Sequence, residues 1–182
     1  MIKALDSFRF YAFLAVFLFH AKLFDAGYLG VQAFFVLSGF LLTPILVEKK
    51  KNLSFGRYMA NFYGRRMLRI FPLYYLYLLA AGILVGLACL GGYGHEPALA
   101  LFRKQWGYAA TYLYDFFYAS AAFRETPLLS HFWSLAVEEQ FYLVWPLFIW
   151  LVPREKLDRS LAAVVVLNPL VRFAVYGAYL RW

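Results

Sequence analysis

The chain has 182 residues, of which 64% are apolar, 22% aromatic and 15% charged, a composition that excludes an ordinary soluble globular domain. Its formal net charge of +8 would suit a nucleic-acid-binding protein, but the basic residues cluster between two apolar segments, which argues against a nucleic-acid partner. The single cysteine, Cys89, excludes an intramolecular disulfide, and we expect no metal site. The composition therefore predicts an all-α, polytopic transmembrane helical bundle.

The first two apolar segments predict a helical hairpin. They run over about residues 8–24 and 29–47, and the turn between them lies at residues 25–27. Each segment approaches the roughly 20 apolar residues that cross a bilayer core of about 30 Å. We therefore expect both segments to cross the membrane as helices.

A basic cluster follows the hairpin. Residues 48–69 contain seven Lys or Arg residues and a single acid, Glu48. The positive-inside rule places such a cluster in the cytoplasm, so we expect the N-terminus and residues 48–70 to be cytoplasmic in a multi-pass protein of the cell membrane. Residues 53–70 interleave aromatic and arginine side chains, as an interfacial amphipathic helix would, and Pro72 suits the first turn of the next span.

Four further apolar segments follow at about residues 72–90, 98–123, 132–152 and 160–182. The segment at 98–123 is the weakest, because it contains three charged residues. If it crossed fully, the basic loop at 153–159 would lie outside the cell, against the positive-inside rule. We therefore expect a re-entrant or interfacial segment there, with His131 near the outer face and about five or six membrane segments in total.

The first segment carries two ionisable residues, Arg9 and His20. They are 11 residues apart, about three helical turns, so they share one face and are separated by roughly 16 Å along the axis. Arg9 near the helix start is also compatible with snorkelling to the headgroups, and His20 with a structural hydrogen bond. Ionisable residues within membrane segments usually face a cavity, and a histidine neutral near pH 7 suits a general base.

Two adjacent carboxylates, Glu138 and Glu139, lie inside an otherwise apolar run. They point about 100° apart on a helix, so at most one can face a cavity beside Arg9 squarely. Ser134, Glu138 and Tyr142 are spaced by four residues and define one polar stripe. A structural ion pair with an arginine such as Arg9 is as compatible with this pattern as a functional role.

Two weaker patterns complete the set. Ser38, Gly39 and Thr43 in the second segment favour close helix packing, and Ser38 lacks the flanking glycines of a nucleophile elbow. Arg66 and Arg69 share a helix face at the inner surface, where they can bind phosphates of a lipid or a nucleotide-like ligand. Plain positive-inside charge explains these two arginines equally well.

Four stretches, "LDSFRFYAFLAVFLFH", "GYLGVQAFFVLSGFLL", "FYGRRMLRIFPLYY" and "FWSLAVEEQFYLVWPL", resemble in order the signatures of the acyltransferase family 3 membrane proteins. The resemblance covers about residues 3–152. The family's elements fall on Arg9 and His20 (an arginine followed by a histidine), Arg66 and Arg69 (R-x-x-R), residues 34–40 ("FFVLSGF"), and Ser134 and Glu138 (S-x-x-x-E).

The resemblance implies transfer of an acyl group, commonly acetyl, from cytoplasmic acyl-CoA to a hydroxyl of a carbohydrate or lipid-linked glycan beyond the membrane. No cofactor other than this acyl-CoA substrate is implied. The implied catalytic residues are His20 as general base, Arg9 to position the acyl or acceptor group and Glu138 to orient the site. The implied substrate-binding residues are Arg66 and Arg69 for the CoA phosphates, with Ser38 and Ser134.

Two features depart from the family. Gln32 in "GVQAFF" stands where members often have aspartate, so an assisting carboxylate would have to be Asp25 or Glu138. Members also have about ten membrane helices, so we expect residues 1–182 to be the N-terminal part of one such transmembrane domain. A non-catalytic module that binds or translocates a lipid-linked glycan or an acyl carrier, and an inactive fragment, remain alternatives. The acceptor, the acyl chain and the oligomeric state stay open.

Overall fold

The computed structural model describes the backbone of residues 3–179 and the side chains of residues 5–171 and 173. This part of the chain is helical and contains no strand, which confirms the predicted all-α class. Its helices are α1 (Lys3–His20), α2 (Leu29–Asn52), α3 (Phe55–Leu90), α4 (Pro97–Ala110), α5 (Tyr114–Tyr118), α6 (Phe132–Leu151) and α7 (Arg154–Tyr179), with 3₁₀ turns at Asp25–Tyr28 and Tyr93–His95.

Two of the described helical segments are long and apolar enough to cross a membrane, by length and composition alone. They are Asp25–Asn52, of 28 residues, and Phe55–Leu90, of 36 residues. Large apolar side chains such as Leu68 and Leu90 project outward from α3 rather than into a core, as the composition predicted for a membrane protein. The larger count of five or six segments stays a prediction.

Helix α3 corrects one expectation. The predicted interfacial helix at 53–70 and the predicted span at 72–90 are a single continuous helix, and Pro72 lies inside it rather than at its first turn. A proline removes only one helical hydrogen bond, and apolar helix formers on both sides, anchored by buried Tyr74 and Leu78, continue the helix through it. At 36 residues α3 is about 54 Å long, well beyond the bilayer core of about 30 Å.

The charged segment at 153–159 corrects another expectation. It was expected to be a loop, but α7 begins at Arg154 and takes these residues as its first turns. Pro153 directly before the helix and Glu155 in its first turn both favour a helix start. The end of the predicted sixth segment, residues 180–182, lies outside the described residues.

The weak segment at 98–123 consists of two short helices, α4 and α5. Helix α4 has 14 residues, about 21 Å, which is too short for the bilayer core. It runs back along α3, since the Trp106 indole donates to the Leu78 carbonyl (3.4 Å) and the Tyr74 hydroxyl donates to the Ala109 carbonyl (2.7 Å). The predicted re-entrant or interfacial arrangement of this segment stays a prediction.

Two hydrophobic clusters hold the described helices together. The first joins α3, α4, α5 and the start of α6 through Tyr74, Leu78, Ala81, Val85, Phe102, Ala109, Tyr114, Leu129, Phe132 and Ala136. The second joins α2, α3, α6 and α7 through Leu42, Leu46, Tyr58, Phe62, Tyr142, Ile149 and Leu157. At the edge of the second cluster, the Lys50 ammonium donates to the carbonyls of Ile149 (2.9 Å) and Val152 (2.7 Å) and so satisfies the end of α6.

Helices α1 and α2 approach each other through glycine. A Cβ atom added at Gly27 would lie 2.1 Å from the Ala15 carbonyl oxygen, and one added at Gly30 would lie 2.4 Å from the Ala12 carbonyl oxygen. Small residues allow this backbone contact, as they do in many membrane helix pairs. The contact sets the register of α1 against α2.

We expect Gly30→Ala to lower the free energy of unfolding by about 1–3 kcal/mol, because the new methyl group would meet backbone that cannot move aside. Gly39→Ala in the same helix is the matched control, since a Cβ there meets no atom within 4 Å. Alanine has the better helix propensity, so this control should be neutral or slightly stabilising. Denaturant unfolding in detergent, followed by circular dichroism, measures both, and equal losses would contradict the close contact.

Candidate functional site

A cavity of about 320 Å³ lies between α1, α2, α3 and α6. Its wall contains polar and apolar side chains from these helices. They are Arg9 from α1; Phe34, Leu37, Ser38 and Leu41 from α2; Arg66, Arg69 and Ile70 from α3; and Leu135, Glu138, Glu139 and Tyr142 from α6. The cavity therefore brings together basic and acidic side chains that are far apart in the sequence.

A hydrogen-bonded group occupies one wall of this cavity. Ser38 Oγ donates to Glu138 Oε1 (3.2 Å), and the Tyr142 hydroxyl donates to the same carboxylate oxygen. Ser38 Oγ also lies 3.2 Å from the Tyr142 hydroxyl. Glu138 and Tyr142 are one helical turn apart on α6, so they reach Ser38 of α2 together. Two donors thus fix the direction of the Glu138 carboxylate.

The arginines of α3 face this group. The Arg66 guanidinium lies over the Tyr142 ring, 4.4 Å from its centroid, and 5.8 Å from the Phe62 centroid. Cation–π contacts of this kind hold a guanidinium in place while leaving its N–H donors available. Among the described residues neither Arg66 nor Arg69 forms an ion pair within 4.0 Å, so both present positive charge to the cavity.

Arg9 lines the cavity from α1 but does not pair with Glu138. Its guanidinium lies 3.1 Å from Asp6 on the same helix, and both side chains are substantially exposed. An exposed pair three residues apart contributes little to stability. The proposed structural ion pair between Arg9 and the α6 carboxylates is therefore wrong.

Two of the seven predicted site residues lie outside the cavity. His20 is the last residue of α1, with an exposed side chain against the Phe19 ring, and only Arg9 of the predicted Arg9 and His20 pair reaches the cavity wall. Ser134 Oγ donates instead to the backbone carbonyl of His131 (3.1 Å). Neither His20 nor Ser134 therefore lines the cavity.

A second histidine lies near His20. His131 directly precedes α6, half-buried against the rings of Tyr77 (5.6 Å) and Phe132 (4.7 Å). Burial lowers the pKa of the His131 imidazole, and the nearby charge of His20 acts in the same direction. The two histidines therefore mark one end of the bundle, although they are 111 positions apart in the sequence.

Sequence reasoning missed the apolar wall of the cavity and the role of Glu139 in it. Phe34, Leu37 and Leu135 carry no signal that separates them from other apolar residues of their helices. The alternative assisting carboxylate, Asp25, lies exposed in the 3₁₀ turn between α1 and α2 and is not part of the cavity. Glu138 is thus the candidate carboxylate that the structure brings to the site.

Residues 2–181 match the family model for an acyltransferase domain. The chain is 33% identical over 154 residues to the putative peptidoglycan O-acetyltransferase YrhL of Bacillus subtilis. It is 32% identical over 157 residues to the peptidoglycan O-acetyltransferase OatA of Listeria monocytogenes and, over the same length, to the O-acetyltransferase OatA of Staphylococcus aureus. Each match covers 81% of this chain and 24% of the relative, so the chain spans about a quarter of the length of these relatives. No solved structure matches it at a significant level.

We expect Tyr142→Phe to lower the free energy of unfolding by about 1–3 kcal/mol, because Glu138 loses a donor while the ring beneath Arg66 remains. Tyr11→Phe on α1, where the side chain is 66% exposed, is the matched control and should change stability by no more than about 0.5 kcal/mol. Thermal unfolding in detergent compares the two. Wild-type stability in Tyr142→Phe would show that the hydroxyl does not hold the carboxylate.

Proposed function

The chain belongs to acyltransferase family 3, and on that premise we propose that it transfers an acetyl group from acetyl-CoA to a hydroxyl of a carbohydrate acceptor across the membrane. The observation that carries the proposal is the cavity in which Arg66 and Arg69 face the Ser38, Glu138 and Tyr142 group. The relatives named above are O-acetyltransferases, two of them of peptidoglycan, which supports a glycan acceptor.

A multi-pass arrangement follows from the positions of the charges. Lys50 contacts the Val152 carbonyl, so the basic segments at 48–69 and 154–159 begin at the same end of the bundle. That end is cytoplasmic in our proposal, and the 3₁₀ turn at Asp25–Tyr28 is at the outer face. Helices α1, α2, α3, α6 and α7 then cross, while α4 and α5 form a re-entrant element that enters from outside.

The donor binds from the basic end. A CoA moiety carries several phosphate charges, and guanidinium groups bind phosphate through two parallel hydrogen bonds. Arg66 and Arg69 have no carboxylate partner among the described residues and are therefore assigned to these phosphates. Acyl-CoA holds its phosphates and its thioester at opposite ends of a long arm, so the thioester extends from the arginines towards the outer end.

The acyl transfer takes place at that outer end. His20 removes the proton of the acceptor hydroxyl, whose oxygen attacks the thioester carbonyl carbon. The carbon–sulfur bond then breaks, and the CoA sulfur leaves with a proton as the free thiol. Arg9 positions the acyl or acceptor group and Glu138 orients and charge-balances the site, while Ser38 and Ser134 contribute hydrogen bonds to substrate.

His20→Ala is expected to lower acetyl transfer by about 10²–10⁴-fold, because the acceptor loses its general base. Membranes that contain the chain are given radiolabelled acetyl-CoA and soluble peptidoglycan glycan fragments, and labelled glycan is counted. His95→Ala is the matched control, since His95 is exposed at the 3₁₀ turn beyond α3 and is remote from the cavity. Unchanged product in His20→Ala would overturn the base assignment.

The same assay separates transfer from simple binding or translocation. Transfer releases free CoA in step with labelled glycan. A module that only binds or moves an acyl carrier leaves the thioester intact, and that result in the wild-type chain would overturn the proposed transfer.

Arg66→Ala and Arg69→Ala should each raise the KM for acetyl-CoA by about 10–100-fold, because each variant loses the binding free energy of a charge-assisted hydrogen bond. Arg65→Ala is the control, because Arg65 is adjacent in sequence and exposed but does not line the cavity. Its KM should stay within about 2-fold of wild type at physiological salt. An equal increase in all three variants would mean that general positive charge, rather than the cavity, attracts the donor.

A further inference from the structure

Two buried polar atoms in the described part of the chain have no hydrogen-bond partner, Glu139 Oε1 and the Tyr112 hydroxyl oxygen. Unpaired buried polar atoms are few in native proteins, because each one loses its hydration without compensation. The two residues are neighbours in the fold, because the Tyr112 carbonyl accepts a hydrogen bond (3.0 Å) from Gln140 Nε2, the residue after Glu139, and Glu139 acts electrostatically on the Tyr112 hydroxyl. Their coincidence beside the cavity requires an explanation.

Glu139 belongs to the cavity wall but not to the hydrogen-bonded group that fixes Glu138. The two residues are adjacent on α6 and point about 100° apart, so Glu138 takes the donors from Ser38 and Tyr142. Glu139 lies within electrostatic range of Tyr112 and Tyr74, and also of Glu138 and Arg66. It therefore presents a second carboxylate at a different place in the same cavity.

Tyr112 is held firmly in a conformation that leaves its hydroxyl unpaired. It lies in the break between α4 and α5 with φ of 55°, a left-handed conformation that is costly for a bulky residue. Its ring stacks on Tyr74 at 4.2 Å and on Phe71 at 5.7 Å. Its carbonyl accepts a hydrogen bond from Gln140 Nε2 (3.0 Å), which follows Glu139 on α6.

The strain is informative because backbone outliers of this kind persist where surrounding contacts impose them, and they concentrate at binding sites. The contacts on Tyr112 come from two helices. The rings of Tyr74 and Phe71 belong to α3, and Gln140 belongs to α6. They place the tip of the re-entrant element one helical turn from Ile70 of the cavity wall, since Tyr112 stacks on Tyr74.

We propose that Glu139 and Tyr112 form a polar subsite that binds a hydroxyl group of the glycan acceptor. The inference rests on the proposed acyl transfer. A hydroxyl can donate to the carboxylate and accept from the phenol at once, so a single group satisfies both unpaired atoms.

The end of the bundle from which α4 and α5 reach the cavity also assigns the subsite to the acceptor. Helix α3 begins beside the basic end, where Phe55 contacts Trp150, and α4 returns from the opposite end of α3. The α4 and α5 element therefore reaches the cavity from the side on which the acceptor resides in our proposal. The arginines and the subsite thus receive the two substrates from opposite ends.

The test compares Tyr112→Phe and Glu139→Gln in membranes, with saturating acetyl-CoA and increasing soluble peptidoglycan glycan fragments. Each variant should raise the KM for the glycan by about 3–10-fold, the value of one lost hydrogen bond, and leave the KM for acetyl-CoA within about 2-fold. Tyr63→Phe is the matched control. Its hydroxyl donates to the Leu143 carbonyl, away from the cavity, and its glycan KM should equal that of wild type.

Folding of the variants is checked by their unfolding midpoints with and without the glycan fragments. Tyr112→Phe loses only a hydroxyl that has no partner, so its stability without glycan should equal or exceed that of wild type. If the KM for the glycan in both variants equals that of wild type, the subsite is overturned and the proposed transfer is left intact.

If the wild-type chain is inactive, the proposed transfer is overturned. The unfolding midpoints measured with and without glycan then test the subsite. A glycan-induced rise that is present in wild type and lost in both variants supports the subsite. A rise that is absent, or equal in all proteins, overturns it.

Discussion

Two adjacent carboxylates in the middle of α6 impose the constraint on which the site depends. Glu138 and Glu139 lie among apolar residues, where an unpartnered carboxylate is expensive. Helical geometry separates their directions by about 100°, so the same neighbours cannot satisfy both. Glu138 is held by Ser38 of α2 and by Tyr142 of α6, whereas Glu139 lies within electrostatic range of Tyr112 in the break between α4 and α5. The surroundings of the two carboxylates therefore come from different parts of the chain.

The packing of the remaining helices serves this arrangement. Gly27 and Gly30 let α2 lie directly on the backbone of α1, and Arg9 of α1 and Ser38 of α2 line the same cavity. At the basic end, Lys50 binds the terminal carbonyls of α6 and so fixes the depth of α6 against α2. The glycine contacts join backbone to backbone, so the height of α1 against α2 does not depend on flexible side chains, whereas α6 is held to α2 through the Lys50 side chain. These contacts therefore set the relative positions of the helices that form the cavity wall.

The ends of the bundle differ in chemistry, which gives the proposed reaction a direction. Basic residues gather at the start of α3 and α7, and the two histidines lie at the end of α1 and the start of α6. In our proposal, the arginines of the cavity receive an anionic donor, and the unpaired atoms of Glu139 and Tyr112 receive a hydroxylated acceptor.

The sequence by itself determined the helical class and the face on which most site residues lie. Arg9, Ser38, Arg66, Arg69 and Glu138 all line one cavity, and within each helix the period of the helix sets the direction of the side chain locally. Only the tertiary structure decided which side chains reach the cavity and which residues they contact. His20 and Ser134 fall beyond the cavity, and Pro72 sits inside α3, because these outcomes depend on where neighbouring helices pack. Glu139 and Tyr112 come near each other only because α4 folds back along α3, an arrangement of distant residues that no local pattern encodes.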